Sequence, residues 1–201
     1  MQMTLRMKQK GVVLFIALIV LVAMTLAGIA LMRSVDTATV IAGNLAFKQS
    51  TLQSADQGVD AAYQWLLTNS GAAALNNDST AAGYFSARPF PEPDWSNANS
   101  WANAFTLNNG AADAAGNVVS YIIHRMCTEA NTAFNGNHSA TGTANQCGLN
   151  FPISGGAGGS KGTPPAITVA SNPQVYYRIT SRSAGPRNTE TITQTMVAVT
   201  N

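Results

Sequence analysis

The fold is decided by residues 8–34, which read KQKGVVLFIALIVLVAMTLAGIALMRS. The 21 residues from Val12 to Met32 carry no charge, and Arg33 ends the run. A helix of that length extends ~31 Å, about the thickness of the hydrocarbon core of a bilayer. We therefore predict a membrane-spanning helix over residues 12–33.

The charges around this run predict its orientation. Basic residues precede it at Arg6, Lys8 and Lys10. Because basic residues stay on the cytoplasmic side, we expect the N-terminus in the cytoplasm and the chain beyond Arg33 outside. A secretory signal peptide is the alternative, but its apolar core would span about 7–15 residues before a small-residue cleavage site. This run is longer and no such site follows it, which favours an anchor that is retained.

Several short stretches carry a resemblance to a known family. In the first third of the chain they are residues 11–21, Gly28, 32–34 and 42–44; near the C-terminus they are 177–180, 185–189 and Gln194. Together they make residues 8–67 and 175–199 similar to PilX-type minor pilins of type IV pili. The resemblance implies that residues 1–11 are a leader, which prepilin peptidase removes by cutting between Gly11 and Val12. Val12 would then be the N-terminal residue, with its amine methylated.

One position departs from the usual pilin pattern. Most pilins have glutamate at the fifth position of the processed chain, where it pairs with the N-terminal amine of a neighbouring subunit. Here that position is Ile16. A carboxylate in a bilayer is costly without a partner, so its usual presence indicates a functional pairing. Many PilX-type minor pilins and the K-type pseudopilins of type II secretion also lack it. The departure argues against a major pilin and suggests a place at the filament tip.

Composition limits the remaining function classes. Only 10% of the 201 residues are charged, against ~25% in typical soluble proteins. Three of the eleven basic residues lie in the leader, so the processed chain has eight basic and nine acidic residues. Nucleic-acid binding would require a basic stripe, and only Arg178, Arg182 and Arg187 are loosely grouped. We expect no nucleic-acid partner.

The two cysteines, Cys127 and Cys147, fit one disulfide in an exported protein. The bridge would close a loop of about 20 residues and contribute ~3 kcal/mol in the chain-entropy model. Zinc and free thiols remain alternatives, since His124 and His138 lie near the cysteines in sequence. Their spacing matches no standard zinc motif, so the disulfide is favoured.

The helix is predicted to continue beyond Arg33 as an amphipathic segment. Leu45, Leu52, Val59 and Leu66 recur every seven residues, and Ile41, Ala55 and Ala62 lie between them on the same face. This pattern predicts one apolar face that covers a sheet over residues 45–67. The helix is predicted to end at Asn69, Ser70 and Gly71. An unbroken helix over residues 12–67 would extend ~84 Å.

The remainder of the chain predicts loops followed by strands. Residues 71–117 are rich in turn-forming residues, with a short helix expected over 96–107. Trp95, Trp101 and Phe105 are more simply explained as packing under a long loop than as a ligand surface. Three strands are predicted, with a hairpin connection over 183–188 between the last two; they cover 118–126, 174–182 and 189–199.

The fold class predicted from these patterns is α+β, pilin-like, with a long N-terminal helix packed on an antiparallel sheet. Residues 1–11 are the leader, 12–33 the membrane and filament-core helix, and 34–201 the amphipathic helix and head domain. No catalytic constellation, cofactor or metal site is evident, so a non-enzymatic role is expected.

The resemblance implies a function in the assembly of type IV pili. The chain would be a minor pilin in a priming or tip complex, with roles in adhesion and twitching motility. Before assembly the subunit would span the inner membrane once, with its head in the periplasm; afterwards it would be extracellular. Expected partners are membrane lipid, prepilin peptidase, and other minor and major pilins. Two alternatives stay open: a pseudopilin of type II secretion, and an adhesin displayed on the pilus.

Overall fold

The computed structural model describes residues 11–150, 153–154, 168–169 and 173–200. The chain divides into two compact units, Met1–Ala46 and Phe47–Asn201. A single helix, α1 (Val12–Thr68), begins in the first unit and ends in the second. We call residues 12–46 its free half and residues 47–68 its packed half. Of the predicted leader, only Gly11 belongs to the described residues.

Eight strands are present in the described part of the second unit. They are β1 (Tyr84–Phe85), β2 (Phe105–Thr106), β3 (Val118–Arg125), β4 (Leu149–Asn150), β5 (Ile153–Ser154), β6 (Thr168–Val169), β7 (Gln174–Ala184) and β8 (Glu190–Thr200). Short 3-10 turns connect several of them, at Ala73–Asn76, Thr80–Ala82, Ala98–Trp101, Leu107–Gly110 and Pro186–Asn188.

The main sheet has six strands built around the antiparallel pair β3 and β7. β8 pairs with β7 over its whole length, β4 pairs with one end of β7, and β1 and β2 pair with β3. β5 and β6 form a separate two-stranded sheet. The three long strands and the hairpin between β7 and β8 were predicted, because β-branched runs and the Gly-Pro turn mark them.

The sheet is mixed, so the prediction of an antiparallel sheet was wrong in one pair. β1 runs parallel to β3, with Tyr84 opposite Ile123. A parallel pair requires a long crossover, and the loop between Phe85 and Val118 provides one. Gly83 forms the turn that leads into β1, since its φ is +68°, a value that glycine adopts without strain. Its carbonyl accepts a hydrogen bond from the Ile123 N–H at 2.8 Å.

The packed half of α1 covers the sheet with small side chains. Its buried face consists of Thr51, Ser54, Ala55, Gly58, Ala62 and Leu66. Gly58 lies so close to the sheet that an added Cβ would be 2.2 Å from Ser181 Oγ and 2.7 Å from Val119 Cγ1. The predicted stripe was right at Ala55, Ala62 and Leu66, which are fully buried, and wrong at Leu52, which is 46% exposed.

A polar cluster holds the packed half to the loop before β3. Asp113 Oδ2 accepts from Ser54 Oγ at 2.7 Å, and its Oδ1 accepts from the Asn117 N–H at 2.8 Å. The Asn117 amide, which is buried, also donates to Ser54 Oγ at 2.9 Å. The hydrogen bond from the Asn117 backbone is the largest of the interactions that lower the pKa of Asp113. Helix and loop are thus joined by a chain of hydrogen bonds around one carboxylate.

The helix ends where the sequence predicted, but the expected helix over 96–107 is absent. α1 stops at Thr68, and Gly71 follows with φ +71°. Residues 98–101 form only a 3-10 turn, for which the Asn97 side chain accepts from the Asn99 N–H. Phe105 pairs with β3 instead of continuing a helix. Side chains of Asn and Ser compete for backbone groups, which explains the short turns.

Candidate assembly site

The free half of α1 is a continuous exposed surface made mostly of apolar residues. Every residue from 12 to 42 is exposed. α1 contains an apolar window of mean hydropathy 3.0 that has no buried residue, and the helix is long enough to cross a membrane. Monomeric soluble proteins rarely expose apolar patches beyond a few hundred Å². This surface therefore fits a lipid or protein environment.

The predicted processing residues lie together at the start of this surface. Gly11 forms a turn, and Val12 is the first helical residue. Ile16 follows one helical turn later and is 55% exposed. A peptidase cut after Gly11 would thus leave α1 intact from its first residue. Ile16 offers no acceptor for an amine, so this part of the helix can contribute apolar contact alone.

The threonines of the free half donate their hydroxyl groups to carbonyls of the helix itself. Thr25 Oγ1 donates to the Val22 carbonyl at 2.9 Å, and Thr37 Oγ1 to the Arg33 carbonyl at 2.9 Å. Such bonds to the preceding turn are how threonine is accommodated in apolar helices. Thr25 is therefore compatible with burial in lipid or among other helices.

The predicted disulfide is formed between Cys127 and Cys147. The two cysteines face each other as an isolated antiparallel pair, next to the bond from the Thr128 N–H to the Gln146 carbonyl at 2.9 Å. His124 and His138 do not join them in a metal site: within the described ranges no group of three or more His, Cys, Asp or Glu side chains is placed to hold an ion. The bridge closes the base of the loop between β3 and β4.

The two histidines occupy different surroundings. His138 lies in the disulfide loop, where its Nδ1 is 3.2 Å from Thr141 Oγ1. His124 is buried in β3 and stacks on Phe85 with ring centroids 5.2 Å apart. Burial, followed by the neighbouring positive charge of Arg178, lowers the pKa of His124 to about 4. A neutral ring in an apolar stack indicates a packing role.

The tryptophans in the loop between β1 and β2 pack on the sheet. Trp101 is 8% exposed, and its Nε1 donates to the Trp95 carbonyl at 2.9 Å. Trp95 meets Trp101 edge-on at 5.3 Å, and its Nε1 donates to Glu92 Oε1 at 3.0 Å. Glu92 also pairs with Arg178 at 3.0 Å. These contacts agree with the packing interpretation, although Phe105 is 39% exposed.

A buried arginine was missed from the sequence. Arg125 ends β3 with its side chain inside the head and 0% exposed. It donates to the Ser86 carbonyl at 2.8 Å, to Asn76 Oδ1 at 3.1 Å and to the Thr132 carbonyl. Three separate loops therefore converge on one guanidinium. The only clue in the sequence is its position in the alternation of β3, at which an inward-facing residue is expected.

No protein-family model, curated protein or solved structure matches this chain. Its function is therefore argued from the geometry of the chain. The described residues place Val12 and Ile16 on an exposed apolar helix directly after Gly11, and they join Cys127 to Cys147 in the head. The structure thus describes a single-span candidate membrane helix joined to an α+β head that contains one disulfide.

Proposed function

We propose that this chain is a minor pilin that takes part in the assembly of a type IV pilus. The observation that carries the proposal is the division of α1. One unbroken helix follows Gly11, leaves its free half exposed and apolar, and packs its second half on its own sheet. A filament subunit needs such a helix, because one half must remain available to other subunits while the other half holds the head.

The mechanism is a change of environment for the free half. Before assembly its apolar side chains lie in the inner membrane, with the head in the periplasm. In the filament the same side chains pack against the helices of other subunits, so the hydrophobic contact is exchanged rather than lost. The partners are lipid, prepilin peptidase, and minor and major pilins. No catalytic group is required for this role.

Ile16 supports a place near the filament tip as part of this proposal. In the shaft, a glutamate at this position would make a charge-assisted contact with a neighbour's amine in a setting of low dielectric. Ile16 cannot make that contact, so repeated incorporation along the shaft is disfavoured. A tip subunit has no neighbour above it and does not need the contact. We therefore propose low copy number and a priming role.

Processing provides the first test. Mass spectrometry of protein extracted from membranes should find Val12 as a methylated N-terminus. Gly11→Leu should leave the leader attached, whereas Gly28→Leu, the same change within the free half, should be processed normally. An intact Met1 terminus in piliated cells would exclude this role.

Location provides the second test. Deletion should reduce the number of filaments more than their length, because initiation fails while elongation continues. Gold labelling of the head should mark filament ends, and Ile16→Glu should increase the number of copies in sheared pili. Abundant label along the whole shaft would contradict the tip assignment. Loss of protein secretion with normal pili would identify a pseudopilin instead.

A further inference from the structure

The last strand of the head has a free edge. All eleven residues of β8 pair with β7, and in the part of the chain that the structure describes no strand pairs with its other side. Glu190 is its only charged residue, and it contains neither proline nor glycine. Natural edge strands are normally short or protected by charges, prolines or bulges. A long and unprotected edge indicates a place where another strand binds.

The direction of the backbone groups on this edge follows from the bonds of Tyr176. Its N–H donates to the Gly148 carbonyl at 3.0 Å and its carbonyl accepts from the Met126 N–H at 2.9 Å, so both groups point away from β8. Backbone groups alternate in direction along a strand, so odd-numbered residues of β7 bond to their odd-numbered partners in β8. The outward-pointing N–H and carbonyl groups of β8 therefore belong to its even-numbered residues, which include Ile192, Gln194, Met196 and Ala198.

The packed half of α1 forms a wall beside this edge. At one end Lys48 Nζ donates to the outward carbonyl of Glu190 at 3.0 Å and caps it. At the other end Val59, Asp60 and Tyr63 line a groove of about 340 Å³ with Val197 and Ala198. A strand added to β8 would lie ~4.8 Å beyond it, with alternate side chains directed toward this wall. The groove is thus suited to an extended segment.

The wall is apolar but contains two carboxylates. Leu52, Val59 and Tyr63 lie on one side of the helix together with Asp56 and Asp60. Both aspartates are exposed, and neither forms an ion pair with a described residue. A bound strand that places a lysine or arginine there would gain two opposite charges. β8 itself has no basic residue, so a second copy paired edge to edge would leave these carboxylates without cations.

We propose that the free edge of β8 and the adjoining wall of α1 bind an extended segment of a different polypeptide. That segment carries apolar side chains at alternate positions and a lysine or arginine on the same face. Backbone hydrogen bonds to β8 supply affinity, and the contacts with Val59 and the two aspartates supply selectivity. The site is built from the head alone, so it does not depend on the proposed role in pilus assembly.

The test uses the full chain in detergent micelles and a fluorescein-labelled peptide as long as β8. In this peptide threonines occupy alternate positions, and valines and two lysines occupy the others. Anisotropy should show saturable binding. A second peptide with glutamates in place of the lysines should bind about tenfold more weakly.

Matched variants of β8 test the backbone contact. Met196→Pro removes one outward N–H without removing a bond to β7, and should weaken binding of the lysine peptide about tenfold. Met196→Ala retains the N–H and should bind normally. Thermal unfolding and alkylation of the non-reduced protein check that both variants are folded.

Charge exchange tests the wall independently of β8. The double variant Asp56→Lys, Asp60→Lys should prefer the glutamate peptide over the lysine peptide. Equal binding of both peptides by every variant, undiminished binding to a folded Met196→Pro protein, or no binding of the lysine peptide to the unmodified chain would each overturn the proposal. A dimer of the chain that Met196→Pro disrupts would identify a second copy as the occupant and would also overturn it.

Discussion

Both halves of α1 carry apolar side chains, but they use them in opposite ways. The free half carries large side chains that are all exposed between residues 12 and 42. The packed half buries mainly small ones, Ala55, Gly58 and Ala62, and leaves Leu52 half exposed. The comparison teaches that the face a helix buries is decided by how closely its partner approaches. Apolarity alone identifies neither the buried face nor the presence of a partner.

Close approach also explains the polar bonds that are specific to the packed half. Ser181 Oγ of β7 donates to the Ala55 carbonyl at 2.8 Å, and Thr51 Oγ1 lies 2.8 Å from Thr191 Oγ1 of β8. Large side chains on the buried face would hold the sheet too far away for such bonds. In the free half, by contrast, Thr25 and Thr37 bond only to their own helix.

The largest expected effect separates two leucines of the same heptad pattern. Leu66→Ala should lower the free energy of unfolding of the head by about 2–5 kcal/mol, because it opens a cavity under a fully buried side chain. Leu52→Ala, fourteen residues earlier and 46% exposed, should cost under ~1 kcal/mol. Urea unfolding followed by near-UV circular dichroism measures both. Equal losses would show that Leu52 contributes to the packing as the sequence predicted.

The second prediction is that stability depends on pH and that this dependence arises in the head alone. The charged side chains of the free half, Arg33 and Asp36, are exposed. In the head, the pKa of His124 falls to about 4, below its unfolded value near 6.5. The unfolded chain therefore binds more protons between these values, and stability is lost as the pH falls from 6.5 to 4, by up to ~3 kcal/mol.

His124→Phe should remove most of this loss while it preserves an aromatic ring on Phe85. His138→Phe makes the same change in the disulfide loop and is the matched control. Unfolding curves collected between pH 4 and 7 measure the free energy of unfolding of each protein. An identical slope in the His124→Phe protein would show that other groups carry the response.

The third prediction places the same substitution in both halves. Gly58→Ala introduces a Cβ 2.2 Å from Ser181 Oγ and should destabilise the head by about 1–3 kcal/mol. Gly43→Ala meets no atom within 4 Å and improves helix propensity, so it should leave the head unchanged or raise helicity. Thermal unfolding distinguishes the two. A neutral Gly58→Ala would mean that the sheet can move away from α1 without cost.

The smallest expected effect compares two hydroxyl groups. Ser54→Ala removes the donor to Asp113 and an acceptor of Asn117, which should cost about 1–2 kcal/mol. Thr25→Val removes a bond within the free half and should not change the unfolding of the head. If both changes were neutral, the cluster around Asp113 would not stabilise the packing of α1.

The sequence predicted those features whose signals are local. The apolar run, the stop at Gly71, the strand beginning at Val118 and the turn at Gly185 follow from charge, periodicity and turn residues. The disulfide followed from the pairing of two cysteines in a chain with an exported character. These features depend on few distant contacts.

The remaining features depend on partners far away in the chain. The predicted stripe of α1 contained Ala55, Ala62 and Leu66 but missed Thr51, Ser54 and Gly58. Glycine and small polar residues carry little hydrophobic signal, although Gly58 is what lets Ser181 approach. The parallel pairing of Tyr84 with Ile123 depends on the path of a long loop. Arg125 could not be assigned as buried because its three acceptors come from loops that no periodic pattern locates.

The order in which the chain is made adds a consequence for folding. Thr51 and Thr191 are 140 residues apart, and Ala55 and Ser181 are 126 apart. Synthesis proceeds from the N-terminus, so the packed half of α1 is made long before the strands on which it packs. Contacts of such separation close slowly, because chain entropy must be lost before they form. Until β7 and β8 have been synthesised, the sheet on which the packed half lies is incomplete. These last strands therefore determine when the head folds.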